Sequence, residues 1–210
     1  MKPFSISKND ELSHIIQKTY RLTLDGWSHP GKIISLAEQV NAINFISDFH
    51  PFALLIGLML LDAEASFYIS SSDNPSFSKL INQITYARQV QINEADFIFI
   101  LNDASQDQIQ EAFRKAKSGT FLNPHQSATM MMEVASLKIK GGMTLSGPGI
   151  DKTCSFGVDG AEVWIPLRKE KNQEFPLGID MMIFDHSNQL VCLPRTTQIE
   201  LVQERKSWDM

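Results

Sequence analysis

Apolar residues recur at helical spacing in the first stretch of the chain. Leu12, Ile15, Ile16 and Thr19 fall on one face of a predicted helix, which ends at the Pro-Gly pair of "GWSHPGK". The uninterrupted apolar run "FALLIGLMLL" at 52–61 predicts a second helix, buried inside the protein. This run is shorter than the roughly 20 residues that cross a bilayer, and acidic residues follow it.

The segment that follows alternates between strand and helix patterns. "SFYIS" predicts a strand, and Phe77, Ile81 and Ile84 give the next helix one apolar face. "DFIFIL" at 96–101 is a continuous β-rich run, which is typical of a strand buried on both faces of a parallel sheet. Residues 52–118 thus alternate between helix and strand, which predicts an α/β fold whose helices cover a sheet.

The helix after this strand carries the clearest boundary signals. Ser105 and Gln108 have the spacing of a capping box at its start. Arg114, Lys115 and Lys117 are predicted to lie in its last turn, where cations interact favourably with the helix dipole. Gly119 predicts a left-handed stop.

The second half of the chain predicts hairpins. "SLKIKGGMTLS" alternates on both sides of Gly141 and Gly142, and two glycines between alternating runs are a hairpin signal. "GIDMMIFDHSNQLVCLPR" predicts another hairpin, with its turn at about 186–188. We interpret residues 1–210 as one α/β domain, with a short helix between the hairpins and a polar tail at about 203–210.

Composition narrows the class of protein. The chain has 210 residues, 43% of them hydrophobic, and a net charge of −5 without a long basic run, so we predict neither a nucleic-acid nor a membrane partner. The N-terminus lacks the apolar region of a signal peptide. The only two cysteines, Cys154 and Cys192, fit a reduced compartment, and we expect a cytoplasmic protein.

The loop "SGPGI" has the glycines of a phosphate-binding loop, with Gly147, Pro148 and Gly149 in succession. Such a loop normally leads into a helix whose free N–H groups hold the anion. Here the extended pattern "TCSFGV" follows, and Pro148 has no N–H to donate. A structural turn is therefore favoured, although Lys152 remains a candidate for attracting an anion.

The segment "LPRTT" is the second candidate for anion binding. Arg195 supplies a planar fork that suits a carboxylate or phosphate, and Thr196 and Thr197 add hydroxyl groups. The same arginine suits an internal salt bridge with Asp62 or Asp180 equally well. A structural role and a role in binding a ligand or a partner protein both remain open.

Asp62 and Glu64 in "LLDAEASF" form a candidate polar pair. Two carboxylates can divide acid and base work if their environments separate their pKa values. They can also cap a strand or pair with arginine, and this second interpretation is favoured. The histidines lack the spacing of a helical zinc site, so we predict no metal site. The sequence also lacks a G-x-S-x-G nucleophile motif, and we predict no self-sufficient catalytic set.

Seven short stretches occur in an order that resembles one family. They are "HPG" at 29–31, "LLDAEASF" at 60–67, "EADF" at 94–97, "GTFLNPHQSAT" at 119–129, "SGPGI" at 146–150, "FPLGID" at 175–180 and "LPRTT" at 193–197. The family is the H subunit of the bacterial carbon–phosphorus lyase core complex, the PhnH family of phosphonate metabolism. The resemblance extends over nearly the whole chain, from about residue 12 to 200.

The resemblance implies a fold and a set of partners. The family fold is a three-layer mixed β-sheet flanked by helices, similar to the large domain of pyridoxal-phosphate-dependent transferases but without pyridoxal phosphate or another cofactor. The isolated protein is expected to form a homodimer, and in the cell to join G-, I- and J-type subunits. That assembly forms α-D-ribose 1-methylphosphonate 5-triphosphate from ATP and alkylphosphonate, before the J subunit cleaves the carbon–phosphorus bond.

The chain is therefore expected to be an accessory subunit of a transferase and lyase system, without a complete active site. The alternative is a free-standing small nucleotide- or phosphate-binding α/β enzyme. Three positions depart from the resemblance: His29, Ala65 and His125. The residues expected to shape the loops are Pro30, Gly31, Gly147, Pro148, Gly149, Pro176 and Gly178.

Overall fold

The computed structural model describes residues 9–43, 49–72 and 74–201. The predicted polar tail at about 203–210 lies outside these residues. The helices are α1 (Asn9–Ser28), α2 (Ala37–Ala42), α3 (Pro51–Leu60), α4 (Asn74–Thr85), α5 (Gln106–Lys115) and α6 (Ala161–Lys171), with a short 3-10 helix at Pro124–Gln126. The strands are β1 (Ile34–Ser35), β2 (Ser66–Ser70), β3 (Arg88–Gln89), β4 (Phe97–Ile100), β5 (Thr129–Val134), β6 (Leu137–Ser146), β7 (Cys154–Val158), β8 (Asp180–Asp185), β9 (Gln189–Leu193) and β10 (Gln198–Leu201).

The strands form two sheets. Seven strands lie in the order β1-β9-β8-β5-β4-β2-β3, and three form a separate sheet in the order β10-β6-β7. In the large sheet, neighbours from β3 to β8 are parallel, and β9 is antiparallel to both β8 and β1. The α/β class predicted from the alternation of patterns is confirmed, and so is the mixed sheet that the resemblance implies.

Alternate residues of the central strands enter two cores on opposite faces of the large sheet. Phe99 packs in one core with Phe52 of α3 and Phe77 of α4. Ile98 packs in the other core with Phe113 of α5 and with residues of α6 and the small sheet. The result is three layers, and the continuous apolar pattern of β4 follows from its burial on both faces.

Two helix starts show why these segments fold locally as they do. At α3, the ring nitrogen Nδ1 of His50 accepts a hydrogen bond from the amide of Phe52 at 3.4 Å, with a proline at the first helical position. At α5, the predicted capping box is confirmed. The hydroxyl of Ser105 accepts from the Gln108 amide at 3.2 Å, and the Gln108 side chain accepts from the Ser105 amide at 2.8 Å.

The left-handed helix stop predicted at Gly119 is wrong. Helix α5 ends at Lys115, and its C-cap residue Ala116 has φ −52° and ψ 135°. Lys117 therefore lies beyond the last turn, where its side chain pairs with Asp96. Gly119 does have a φ of +77°, but it lies in the loop that follows, where a Cβ atom would come within 2.8 Å of the Pro124 carbonyl oxygen. The close approach of this loop to itself requires the glycine.

The hairpin predicted at Gly141 and Gly142 is also wrong. Strand β6 runs through both glycines and pairs with β7 on either side of them. Between the pairs Lys138–Gly157 and Met143–Phe156, β6 advances five residues while β7 advances one. The glycines, at φ +115° and +70°, therefore form a bulge within one strand. The hairpin predicted at 186–188 is confirmed, since β8 and β9 pair in antiparallel.

Candidate functional site: the amino edge of the sheet

The seven stretches with the recognisable order lie at one edge of the large sheet, the edge at which β2, β4, β5 and β8 begin. We call it the amino edge. Four of the stretches lead into these strands, and "HPG" at 29–31 precedes β1. Because β9 runs in the opposite direction, "LPRTT" at 193–197 leaves it at the same edge. "SGPGI" joins β6 to β7 and contacts the loops that contain Pro30 and Thr196.

Arg195 is the central residue of this edge, and its partner is Asp180, the first residue of β8. The guanidinium Nη2 lies 2.6 Å from Asp180 Oδ2, and Nε lies 3.3 and 3.2 Å from the two carboxylate oxygens. The backbone N–H of Arg195 also donates to Asp180 Oδ1 at 2.7 Å. The two side chains are 16% and 26% exposed, so the pair is largely shielded from water. Of the two aspartates considered from the sequence, Asp180 is therefore the one that pairs.

The same guanidinium joins two loops. Nη1 donates to the carbonyl oxygens of Pro124, at 3.1 Å, and Pro176, at 3.0 Å. Nη2 donates to the Ser127 hydroxyl at 2.5 Å. Together with Asp180, these partners engage all five N–H groups of the arginine side chain. The contacts of Arg195 thus favour the structural alternative over direct binding of an anion.

Arg168, which sequence reasoning missed, also donates hydrogen bonds to the loop at 193–197. It projects from α6, is 3% exposed, and donates to the carbonyl oxygens of Thr197 at 3.0 Å and Pro194 at 2.7 Å. Burial lowers the pKa of its guanidinium to about 10, against the opposing influence of Asp180. Thr197 is itself 1% exposed. The only signal in the sequence is an arginine that follows the apolar stretch "VWIPL".

The glycines of "SGPGI" are required by close contacts with two other loops. A Cβ atom on Gly149, whose φ is +82°, would lie 2.8 Å from Cδ of Pro30. A Cβ atom on Gly147, whose φ is +127°, would lie 3.0 Å from the Thr196 carbonyl oxygen. Strand β6 precedes the loop and the antiparallel strand β7 follows it, so the loop does not lead into a helix as a phosphate-binding loop does. These contacts support the interpretation as a structural turn.

The remaining loop residues lie in the same network or on its surface. Gly31 donates its backbone N–H to the Cys192 carbonyl at 3.4 Å, and Gly178 donates to the Ser118 carbonyl at 3.0 Å. Pro148 and Lys152 are exposed in the loop between β6 and β7. The structure thus places Lys152 on the surface, whereas Arg195 and Thr197 are held in the interior network.

Asp62 and Glu64 form a turn between α3 and β2. The Asp62 carboxylate accepts hydrogen bonds from the backbone N–H groups of Glu64 at 2.9 Å and Ala65 at 3.0 Å. Both acidic side chains are exposed. This arrangement fits the capping interpretation, and a role of the pair in acid–base chemistry stays an unsupported prediction.

The two histidines that depart from the resemblance are both exposed. His29 Nδ1 lies 3.0 Å from Asp25 Oδ1, and Lys32 lies 2.7 Å from the same carboxylate. The bond to Lys32 holds the pKa of Asp25 below its usual range. His125 lies in the short 3-10 helix at the amino edge.

A second polar cluster, which sequence reasoning missed, lies at the opposite edge of the sheet. His186 Nε2 lies 3.2 Å from the carboxylate of Glu133, which is 8% exposed, and the rings of His186 and His50 stack with centroids 5.0 Å apart. Burial lowers the pKa of His50. Spacing along the chain could not have found this cluster, since its members are far apart. The available signal was that His186 lies at the turn of the hairpin predicted at about 186–188.

Two other carboxylates at this edge are also engaged by the protein itself. Asp185, 1% exposed, accepts from the backbone N–H groups of Leu137, Ser187 and Gln189, each at 2.9 Å. Asp103 accepts hydrogen bonds from the Ser71 hydroxyl and from the amide and hydroxyl of Ser72. Burial alone would raise the pKa of Asp103, but these hydrogen bonds lower it. This is the edge at which open α/β sheets usually bind ligands.

The amino edge also contains a cavity of about 360 Å³. Its lining residues are Trp27, Leu60, Phe97, Thr129, Asp180 and Met182. Within residues 9–43, 49–72 and 74–201, no group of three or more histidine, cysteine or acidic side chains is placed to hold a metal ion. None of the helices in that part of the chain has the length and apolar character to cross a bilayer.

Comparison with known proteins relates the chain to phosphonate metabolism. The model of the family described as bacterial phosphonate metabolism protein (PhnH) matches residues 9–200. A protein of Stutzerimonas stutzeri, provisionally described as the C-P lyase subunit protein HtxG, is 27% identical over 191 residues. That alignment covers 88% of this chain and 86% of the relative. The resemblance carried by the seven stretches is confirmed by these matches.

Proposed function

The chain belongs to the PhnH family of bacterial phosphonate metabolism proteins, and from this premise we propose that it is a subunit of a carbon–phosphorus lyase assembly in phosphonate catabolism. The observation that carries the proposal is the family match over residues 9–200. The relative described as a C-P lyase subunit supports it, because the alignment covers most of both chains. An isolated shared motif would not produce that coverage.

The proposed role is accessory. The residues best suited to bind an anion, Arg195 and Thr197, are engaged or buried within the chain. Asp62 forms a turn, and its carboxylate accepts from two backbone amides. The geometry at the amino edge therefore favours a rigid surface that contacts other proteins over a centre that acts on a substrate.

The proposal extends to the reaction and the partners. The chain would support the formation of α-D-ribose 1-methylphosphonate 5-triphosphate from ATP and alkylphosphonate, together with G-, I- and J-type subunits. Cleavage of the carbon–phosphorus bond would fall to the J-type subunit. We propose a homodimer for the isolated chain and a cytoplasmic location, which suits its two free cysteines.

We also propose that the large sheet corresponds to the large domain of pyridoxal-phosphate-dependent transferases without the cofactor. The support is a seven-stranded mixed sheet with helices on both faces. Incubation with pyridoxal phosphate tests the second part. The proposal predicts no absorbance of a lysine-bound cofactor, and a stoichiometric absorbance that borohydride fixes would contradict it.

Co-purification tests the proposed function. A tagged copy of the chain is co-expressed with G-, I- and J-type subunits, and the purified material is examined for each of them. The proposal predicts that at least one partner is retained in a stoichiometric amount through size-exclusion chromatography. Retention of none of the three would contradict it.

Calorimetry on the isolated chain tests the alternative of a free-standing enzyme. ATP and an alkylphosphonate are titrated separately into the wild type and into Lys152→Ala, which changes an exposed residue. The accessory role predicts no micromolar binding by the isolated chain. Micromolar binding that is lost in Lys152→Ala would favour the free-standing enzyme.

A further inference from the structure

Three large apolar side chains are strongly exposed on two adjoining loops of the amino edge. Phe121 is 68% exposed, Leu122 is 91% exposed and Phe175 is 71% exposed. We call these three residues the apolar rim. Single exposed apolar residues are ordinary on protein surfaces, whereas a group of them on neighbouring loops is a common feature of contact sites.

The loops that carry the apolar rim are joined at their bases. The Gly178 amide donates to the Ser118 carbonyl at 3.0 Å, and Arg195 donates to the carbonyls of Pro124 and Pro176. Within the first loop, the backbones of residues 120 and 123 exchange two hydrogen bonds, which fixes the segment that presents Phe121 and Leu122. A fixed apolar surface loses little conformational entropy when a partner covers it.

A groove of about 340 Å³ between α5 and α6 adjoins these loops. Ser118 and Leu177, which lie on the two loops, form part of its lining. The apolar lining residues are Phe113, Leu167 and Leu177, and the charged ones are Arg114, Glu170, Lys171 and Glu174. The groove thus offers room for an apolar side chain, with charges of both signs around its opening.

We propose that the apolar rim and this groove form the docking surface for a different protein subunit, which inserts an apolar side chain flanked by polar ones into the groove. The inference rests on the proposed function, because a chain similar to a C-P lyase subunit requires such a surface. Aromatic side chains bury about 150–250 Å² each, so covering the rim removes on the order of 400 Å² from water. That is about half of the roughly 800 Å² per partner in a standard interface, and the groove and its charged border supply further contact area.

The test compares variants of the apolar rim with a matched variant elsewhere. F121S/L122S and Phe175→Ser shorten exposed side chains, so their urea midpoints should equal that of the wild type. Ile139→Ser is the control: Ile139 is 74% exposed, and the nearby Leu137 amide bonds to Asp185 at the opposite edge of the sheet. Affinity for co-purified G-, I- and J-type subunits is measured by surface-based binding kinetics.

We expect affinity for one partner to fall about a hundredfold or more in F121S/L122S, with a smaller loss in Phe175→Ser and none in Ile139→Ser. Wild-type affinity in all three variants would overturn the inference and leave the proposed function intact. Loss of self-association alone, with partner affinity unchanged, would also overturn it, since the rim would then join two copies of this chain. If the wild type binds no partner, the proposed function itself fails, and the docking surface fails with it.

Discussion

Replacing Arg195 with alanine tests whether this residue holds the amino edge together. The change leaves Asp180 without its ion-pair partner, and the Pro124 and Pro176 carbonyls and the Ser127 hydroxyl without their donor. Removing one partner of a buried pair costs about 3–5 kcal/mol. The pair is 16% and 26% exposed, which places it at the low end of that range. Each lost neutral hydrogen bond adds about 1 kcal/mol, but water reaches some of the freed acceptors. We expect the free energy of unfolding to fall by about 4 kcal/mol.

Urea unfolding, followed by far-UV circular dichroism, measures this loss. The midpoint should fall while the slope with denaturant stays unchanged. Arg195→Lys is the matched control, since it retains the charge but not the planar fork that reaches several acceptors at once; we expect it to recover about half of the loss. The reasoning is refuted if Arg195→Ala loses less than about 1 kcal/mol, or if Arg195→Lys is as stable as the wild type.

Three further predictions concern stability. Gly149→Ala should destabilise the fold more than Gly160→Ala. Both glycines have a positive φ, but only a Cβ atom at 149 would meet Pro30, at 2.8 Å. Equal urea midpoints for the two variants would contradict this. Burial lowers the pKa of His50 below its ordinary 6.5, with smaller influences from charged groups nearby. The unfolded chain therefore takes up the proton first, and stability present above pH 6.5 should be lost as the pH falls through the lower folded pKa. His50→Asn should flatten this dependence in thermal scans from pH 7.5 to 5, and an unchanged slope would count against it. Ser105→Ala removes one half of the capping box and should cost about 1 kcal/mol in urea unfolding; an unchanged midpoint would argue that the cap adds nothing.

Local patterns predicted most of the secondary structure because the signals that produce it are local. The capping box at Ser105 acts over four residues, and the apolar face of α4 is set by its own spacing. The pattern around Gly141 and Gly142 failed for the opposite reason. Alternation on both sides of two glycines fits a hairpin and a bulged strand equally, and the pairing of β6 with β7 decides between them. Gly119 failed likewise, because its positive φ serves a loop contact and not the helix end.

The candidate site depended on contacts between distant parts of the chain. The sequence left Asp62 and Asp180 as equal partners for Arg195, and only the register of β8 beside β9 brings Asp180 to it. Arg168 was missed because a helical arginine is ordinarily exposed. The seven stretches could be recognised by their order, but the common position of four of them at the amino edge follows from the parallel arrangement of β2, β4, β5 and β8.

The central claim is that this chain is a subunit of a carbon–phosphorus lyase assembly. Native mass spectrometry of G-, I- and J-type subunits co-expressed with this chain tests it most directly. The account predicts a single complex whose mass includes a fixed number of copies of this chain and falls by those copies when the chain is omitted. A complex of the G-, I- and J-type subunits that forms with the same mass in its presence and absence, while this chain remains free, would contradict the account.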